Sequence, residues 1–297
     1  NRLHHLGLPR PKVAYTSNAL HGNLPFKLAA ADWREEGTWI FDHQHGGGYG
    51  LSLREPVEEY ELRVSDRFYS FGWGGSNKKI RPLSAPLGSH SQFKQVREGV
   101  LLTLAGVPPF VFRINFNLMP GTTERMICET IDFVRNTKSI DLTVRPHSQD
   151  FGLNLFSMLQ KERPGIGLDR WGKGGISSFA RRSLVVHNYM GTAWLETLAM
   201  NFPTICIYDT TVYVYRNDAL PFVEALVRAG ILHATGRSAA AFVKGLGAGI
   251  ETWWNKQDVQ DARQAFVDRY ANFSPAWAKQ WEAEFLPIID SVSLGTA

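Results

Sequence analysis

The stretch that most constrains the fold is residues 183–209, SLVVHNYMGTAWLETLAMNFPTICIYD. Residues 183–187 read as a short buried strand and 188–191 as a polar turn. Residues 192–200 have helical spacing that offers Ala193, Trp194, Leu198 and Ala199 to a core. Asn201 and Pro203 stop that helix, and residues 204–208 are β-branched and apolar enough to form the next buried strand. A strand, a turn, a helix and a strand in that order are the repeating unit of a parallel α/β sheet.

The turn aims helix-terminal N–H groups, and the positive end of the helix dipole, at whatever lies beyond the strand's carboxyl edge. A phosphate suits that position, with Asn188, Gly191 and Thr192 around it. Glu196, one turn further on, has the acceptor-only carboxylate that suits a ribose diol. An ordinary crossover helix with Glu196 on its wet face accounts for the same residues, because helix N-termini are generic anion sites.

At 297 residues the chain has room for one large or two ordinary domains, and alternating strand and helix patterns are legible on both sides of a Gly-rich segment at 71–83. Residues 12–17 read as a strand, 24–36 as a helix with Pro25 in its first turn and Gly37 as its stop, and 38–43 as the next strand. Residues 55–70 read as extended segments. Residues 71–83, rich in glycine and basic residues, read as a linker, which divides the chain into 1–70, the linker, and 84–297. Beyond it, 99–104 and 110–115 read as strands, 122–136 as a helix, 140–144 as a strand and 153–161 as a short helix. Helices are also expected over 219–229, 238–246, 259–270 and 276–292. The chain opens on Asn1 and enters almost directly into a strand, so the first α/β unit is expected to be incomplete at its N-terminus.

Two further polar clusters follow strands. The strand over 38–43 empties into HGGGYG, where Gly46, Gly47 and Gly48 let backbone approach a ligand closely. No Lys-Ser/Thr follows, so this is not a Walker loop. Asp42, His43 and His45 crowd the same strand end, and His43 and His45 share a face if the strand extends that far. Three roles are open to His45: a general base or phosphate contact, one half of a metal pair, or a satisfied structural histidine. The metal role lacks a third ligand at a recognisable spacing. The other cluster is RPHSQD at 145–150, where Arg145 offers a planar fork and His147 a donor to phosphate oxygens, or where the loop is simply solvated.

The net charge of +4 favours anionic partners such as nucleotides or an acidic membrane face, while no basic run resembles a nucleic-acid stripe. Cys128 and Cys206 stand far apart without a CxxC, which suits a reducing compartment. The longest apolar stretch, 100–112, is broken by Pro108 and Pro109 and is too short to span a bilayer. No signal-peptide pattern is present, and a cytoplasmic protein is expected. The pattern predicts two Rossmann-like α/β units facing a cleft, with all three polar clusters at strand carboxyl ends, where ligands bind in such sheets.

QHGGGYG (44–50), VRPHSQDFG (144–152) and VVHNYMGTAWLETLAMNFPTI (185–205) resemble a family of transferases encoded in bacterial O-antigen and surface-polysaccharide loci. The later segments AGILH, TWWN and QAFVDRY resemble that family's tail, so the similarity covers nearly the whole chain, as the carboxyl-terminal half of a longer protein. More distantly, the motifs are similar to those of GT-B glycosyltransferases, including bacterial Kdo, sialyl and glycerophosphate transferases. The resemblance implies a GT-B-like α/β fold, a nucleotide-sugar donor, and a glycan or lipid-linked acceptor. It also implies contact with the inner face of the cytoplasmic membrane and no metal or other cofactor. By motif, His45 falls on the acceptor side, Arg145 and His147 at the donor phosphate, and Gly191 with Thr192 at the helix N-terminus. This sequence has His147-Ser148 where the distant relatives often have His-Pro. A carboxylate nucleophile, if the reaction uses one, would be Asp42 or Asp150. An epimerase of the same fold and a non-catalytic nucleotide-sugar binder are the other readings of this cleft.

Overall fold

In the computed structural model the described residues are 10–85, 98–106, 120–169, 175–209 and 214–294. They form two parallel sheets. The first has the order β1-β2-β3-β4, from β1 (Val13–Thr16), β2 (Trp39–His43), β3 (Arg67–Ser70) and β4 (Ile80–Pro82). Its connections carry α1 (Ala19–Gly22), α2 (Leu24–Glu35) and α3 (Pro56–Val64). Asn23 caps α2 by accepting the Phe26 N–H at 3.0 Å, and Pro25 sits in its first turn, as a helix start requires.

Side chains alternate across β2. Ile40 turns to one face, where it packs with Ala14, Leu20 and Ala30 of the helical layer. Phe41 turns to the other, where it meets Tyr69 and Leu83. The last helix of the chain covers that second face, as described below.

The second sheet has the order β10-β9-β8-β5-β6-β7, every described pair parallel. Its strands are β5 (Val100–Thr103), β6 (Leu142–Arg145), β7 (Gly167–Leu168), β8 (Leu184–His187), β9 (Thr204–Ile207) and β10 (Leu232–His233). Between and after them run α4 (Pro120–Asn136), α5 (Leu155–Glu162), α6 (Gly175–Phe179), α7 (Thr192–Ala199), α8 (Leu220–Arg228), α9 (Gly236–Leu246), α10 (Ile250–Trp254), α11 (Gln257–Tyr270) and α12 (Trp277–Leu294). From β5 the described strands run outward through β6 and β7, and then from β8 outward on the other side. The order therefore reverses between β5 and β8, which opens a crevice at their carboxyl ends.

Three expectations are corrected. Residues 55–64 are the helix α3, not extended chain: its inward face carries Glu58 and Glu61 beside Val57, so an apolar stripe alone does not reveal the period. Residues 71–83 are not a plain linker, because Ile80 and Arg81 pair with Phe68 and Tyr69 and extend the first sheet to Pro82. The chain also forms the short strand β10 and the helix α10, neither of which was expected. The strand expected over 110–115 lies outside the described residues.

Among the junctions between the halves in the described residues, three bear on the site. Helix α12 crosses back and packs Trp281, Phe285 and Ile288 on the open face of the first sheet. Its Glu284 carboxylate takes hydrogen bonds from Arg67 at 3.0 Å and Tyr69 at 3.1 Å. Next, residues 214–216 lie along residues 51–53: Leu53 N–H donates to Val214 O at 2.7 Å and Arg216 N–H to Leu51 O at 2.9 Å. Arg216 Nη2 reaches on to the buried Glu58 carboxylate at 2.5 Å, whose other oxygen takes the Gly50 N–H at 2.7 Å. The third junction is the glycine loop itself.

Candidate active site

The glycine loop of the first sheet rests on the first turn of α7 in the second. A Cβ built at Gly47 would stand 2.6 Å from Met190 O and 3.2 Å from Gly191 C, both backbone atoms that cannot swing aside. One built at Gly46 would stand 3.4 Å from Thr192 Oγ1. Gly47, with Gly46 beside it, therefore serves close approach between the two halves, while Gly48 takes a left-handed backbone with φ 94°. Gln44 holds the loop's root: its Oε1 accepts from Phe71 N–H (2.9 Å) and Trp73 Nε1–H (2.7 Å), and its Nε2 donates to Gly46 O (2.8 Å).

Beneath this junction a cavity of about 470 Å³ opens at the carboxyl ends of β5, β6 and β8. Its walls include Gly106, Arg145, His147, Gly191, Thr192 and Glu196. No side chain caps α7, whose N-cap is Gly191; the Trp194 and Leu195 N–H groups turn back to Gly191 O at 3.2 and 3.3 Å, which leaves those of Thr192 and Ala193 at the helix start for an anion. The Glu196 carboxyl makes no hydrogen bond among the described residues, and burial raises its pKa. The residue is half-buried on the cavity wall, and an acceptor that has lost part of its water favours a ligand that donates to it.

The remaining residues expected at the donor sort by what already engages them. Arg145 is buried, and its Nη1 donates to Asp169 at 2.7 Å and to Ser178 Oγ at 2.8 Å, so it braces β6 against neighbouring segments at the cavity wall. Asn188 is buried too, accepting from Ala105 N–H at 2.8 Å and donating to Thr130 Oγ1 at 3.1 Å. Its amide is committed to tying β8 to β5 and α4 instead of to a donor. His147 is exposed at the cavity edge, stacked on Phe151 and lying so close over Gly106 that a Cβ there would meet its ring at 2.2 Å. Asp150 accepts the N–H groups of Gly152 (3.0 Å) and Asn154 (3.1 Å), which makes it a turn-former.

On the first-sheet side, His43 and His45 part company. The strand ends at His43, whose ring is buried between Phe71 (5.4 Å) and Trp281 (5.5 Å); burial pushes its pKa down to about 4. His45 lies beyond the strand and is a quarter exposed, so the two do not share a cleft-facing side. Asp42 is fully buried, with Oδ1 taking the His43 N–H at 2.9 Å, and cannot reach a sugar carbon as a nucleophile. Behind His45 stand two residues that the sequence did not mark. Tyr49 Oη is 3.0 Å from His45 Nδ1 and donates to Glu61 Oε2 at 2.8 Å. Glu61 is fully buried, and burial together with the Asp42 charge raises its pKa, while burial raises that of Asp42.

His187, at the end of β8, is a satisfied core histidine. Its Nε2 meets Thr197 Oγ1 at 3.0 Å and its Nδ1 meets Thr103 Oγ1 at 2.7 Å, and burial lowers its pKa to about 3. No described helix is long and apolar enough to cross a membrane.

Comparison with solved structures places this architecture. A variant of S. aureus TarM, solved with fondaparinux, α-GlcNAc-glycerol and UDP, superposes with a TM-score of 0.51 at 10% identity over 96% of this chain. A variant of the wall teichoic acid polymerase TagF gives 0.50 at 11% identity, again over 96%. The chain spans 58% of the TarM chain and 74% of the TagF chain. At such identities the likeness establishes the fold alone, a GT-B-like pair of parallel α/β units. No curated protein matches the sequence. The sequence model of the LIC12162 family transferases matches residues 2–285, and the chain belongs to that family.

Proposed function

We propose that this chain carries the cleft of a glycosyltransferase that moves a sugar from a nucleotide-activated donor to a surface-polysaccharide or lipid-linked acceptor at the inner face of the cytoplasmic membrane. The observation that carries the reading is the cavity at the β5/β8 reversal, where a helix N-terminus with no side-chain cap and the half-buried Glu196 carboxyl line one space. A diphosphate at the α7 terminus and a ribose diol at Glu196 fit this arrangement, and family membership among transferases and the UDP in the TarM structure support it.

In this reading the N–H groups of α7 stabilise the departing phosphate, with the glycine loop closing over it and excluding water. Arg145 acts mainly through its braces. His45, which leads into the glycine loop, takes the proton of the acceptor hydroxyl as that oxygen forms its bond to the donor carbon. Incubation with a panel of radiolabelled nucleotide sugars, membrane extract and the purified protein tests the proposal. Label in lipid or glycan supports it. Label isomerised, or only retained, replaces it with an epimerase or a binding protein.

A further inference from the structure

The ring nitrogen that His45 offers is decided by the side chains behind it. We propose that Tyr49 and Glu61 are positioning residues for His45, a buried chain Glu61–Tyr49–His45 that holds the imidazole as its Nδ1–H tautomer and leaves Nε2 as the basic nitrogen. The use of that nitrogen in catalysis rests on the transfer reading above; the tautomer does not.

Tyr49 Oη has one proton and two neighbours, Glu61 Oε2 at 2.8 Å and His45 Nδ1 at 3.0 Å. With that proton donated to the carboxyl oxygen, Oη can only accept at its other contact, and Nδ1 must carry the hydrogen. The direction follows from the carboxyl group. Glu61 Oε1 and Asp42 Oδ2 are the fully buried oxygens of this pair without a hydrogen-bond partner among the described residues. A proton retained by the two acids therefore resides on those oxygens, and Oε2 remains the acceptor. Tyr49 is fixed for this task by its ring, which stacks on Phe68 with centroids 5.9 Å apart and planes at 18°.

Titratable groups crowd the imidazole ring. Facing it are Glu61, with Oε1 3.8 Å from Nδ1, and the ring of His21, 5.0 Å away centre to centre. The charges of Asp42, Glu55 and Glu58 act on the same Tyr49 and Glu61 pair, and the Glu58 charge is answered by Arg216. When the acceptor hydroxyl gives its proton to Nε2, its oxygen bonds the donor carbon, and the electron pair of the breaking carbon–oxygen bond leaves with the phosphate. The imidazolium so formed keeps Nδ1–H on Tyr49 Oη, which accepts that hydrogen while donating its own to Glu61 Oε2.

The test is a long-range 1H–15N spectrum of histidine-labelled protein above the histidine titration range, with His45 assigned by its loss in His45→Ala. The expected result is an Nδ1–H signature for His45 in the wild type and a shift toward Nε2–H in Tyr49→Phe, which keeps the stacked ring and removes only the hydroxyl. With an active donor, Tyr49→Phe should lower kcat about 10–100-fold at unchanged donor KM. An Nε2–H tautomer in the wild type, or one unchanged in Tyr49→Phe, overturns the proposal. A Tyr49-dependent Nδ1–H tautomer in a protein that transfers no sugar upholds the chain and sinks the transferase reading instead.

Discussion

Replacing Gly47 with alanine probes the junction on which the cleft depends. The new methyl would stand 2.6 Å from Met190 O, against an ordinary contact of about 3.4 Å, so the loop must retreat from α7 by roughly 0.8 Å. Met190 O and Gly191 are backbone at the root of a helix and do not yield as a flexible side chain would. Gly47 has no left-handed backbone to lose, so the whole cost falls on the contact between the two halves. Overpacking of this kind costs about 1–3 kcal/mol of stability. A misplacement near 1 Å between the acceptor side and the donor side costs about 100-fold in turnover, with donor affinity nearly kept because the α7 terminus and Glu196 lie wholly in the second half. Gly75→Ala is the control, because a Cβ there meets nothing within 4 Å. Denaturant melts, calorimetric titration of the nucleotide and a single-turnover transfer assay read the three quantities. Gly47→Ala behaving like Gly75→Ala in both melt and turnover would refute the claim that the glycines serve this junction.

Three further outcomes are expected. Glu196→Ala should weaken nucleotide binding by about 1–3 kcal/mol, read by calorimetry, and a 2′,3′-dideoxy nucleotide should bind wild type and variant alike. His45→Ala should lower turnover about 10²–10⁴-fold with donor affinity kept, and loss of both together would move His45 to the phosphate. The buried acids set the third: Asp42 and Glu61 bind protons more tightly folded than unfolded, so their contribution is full below the unfolded carboxylate range and is lost as pH rises through their raised folded values. Urea melts from about pH 6 to about pH 9 should therefore show wild-type stability falling, and Glu61→Gln should flatten that slope; a steeper slope in the variant would contradict the assignment.

The order of elements was legible because it depends on local patterning. The run of apolar residues at 184–187, the cap and proline at the start of α2, and the Asn201–Pro203 stop after α7 act within a few residues of themselves. The placement of the three polar clusters at carboxyl ends follows from parallel strands alone, and so the glycine loop, Gly191, Thr192 and Glu196 could be assigned to that edge of the sheets without coordinates. Helix α3 failed the same test because its inward positions Glu58 and Glu61 are charged residues made tolerable by partners distant in sequence. Those partners include Arg216, 158 residues away, and Tyr49.

What tertiary structure alone decided is which polar side chains remain available for a ligand. Arg145 and Asn188 carry the right chemistry at the right strand ends, yet Arg145 Nη1 is already engaged by Asp169 and Ser178, and the Asn188 amide by Ala105 and Thr130. Asp42 has the right position but no exposure. The chain's sequence by itself determined the alternation of strands and helices and the edge at which function gathers, because backbone periodicity and capping are local. Whether a given hydrogen-bonding group there faces a ligand or a neighbour depends on contacts between segments far apart in the chain. Their pairing is fixed only when both sheets and the returning α12 have packed.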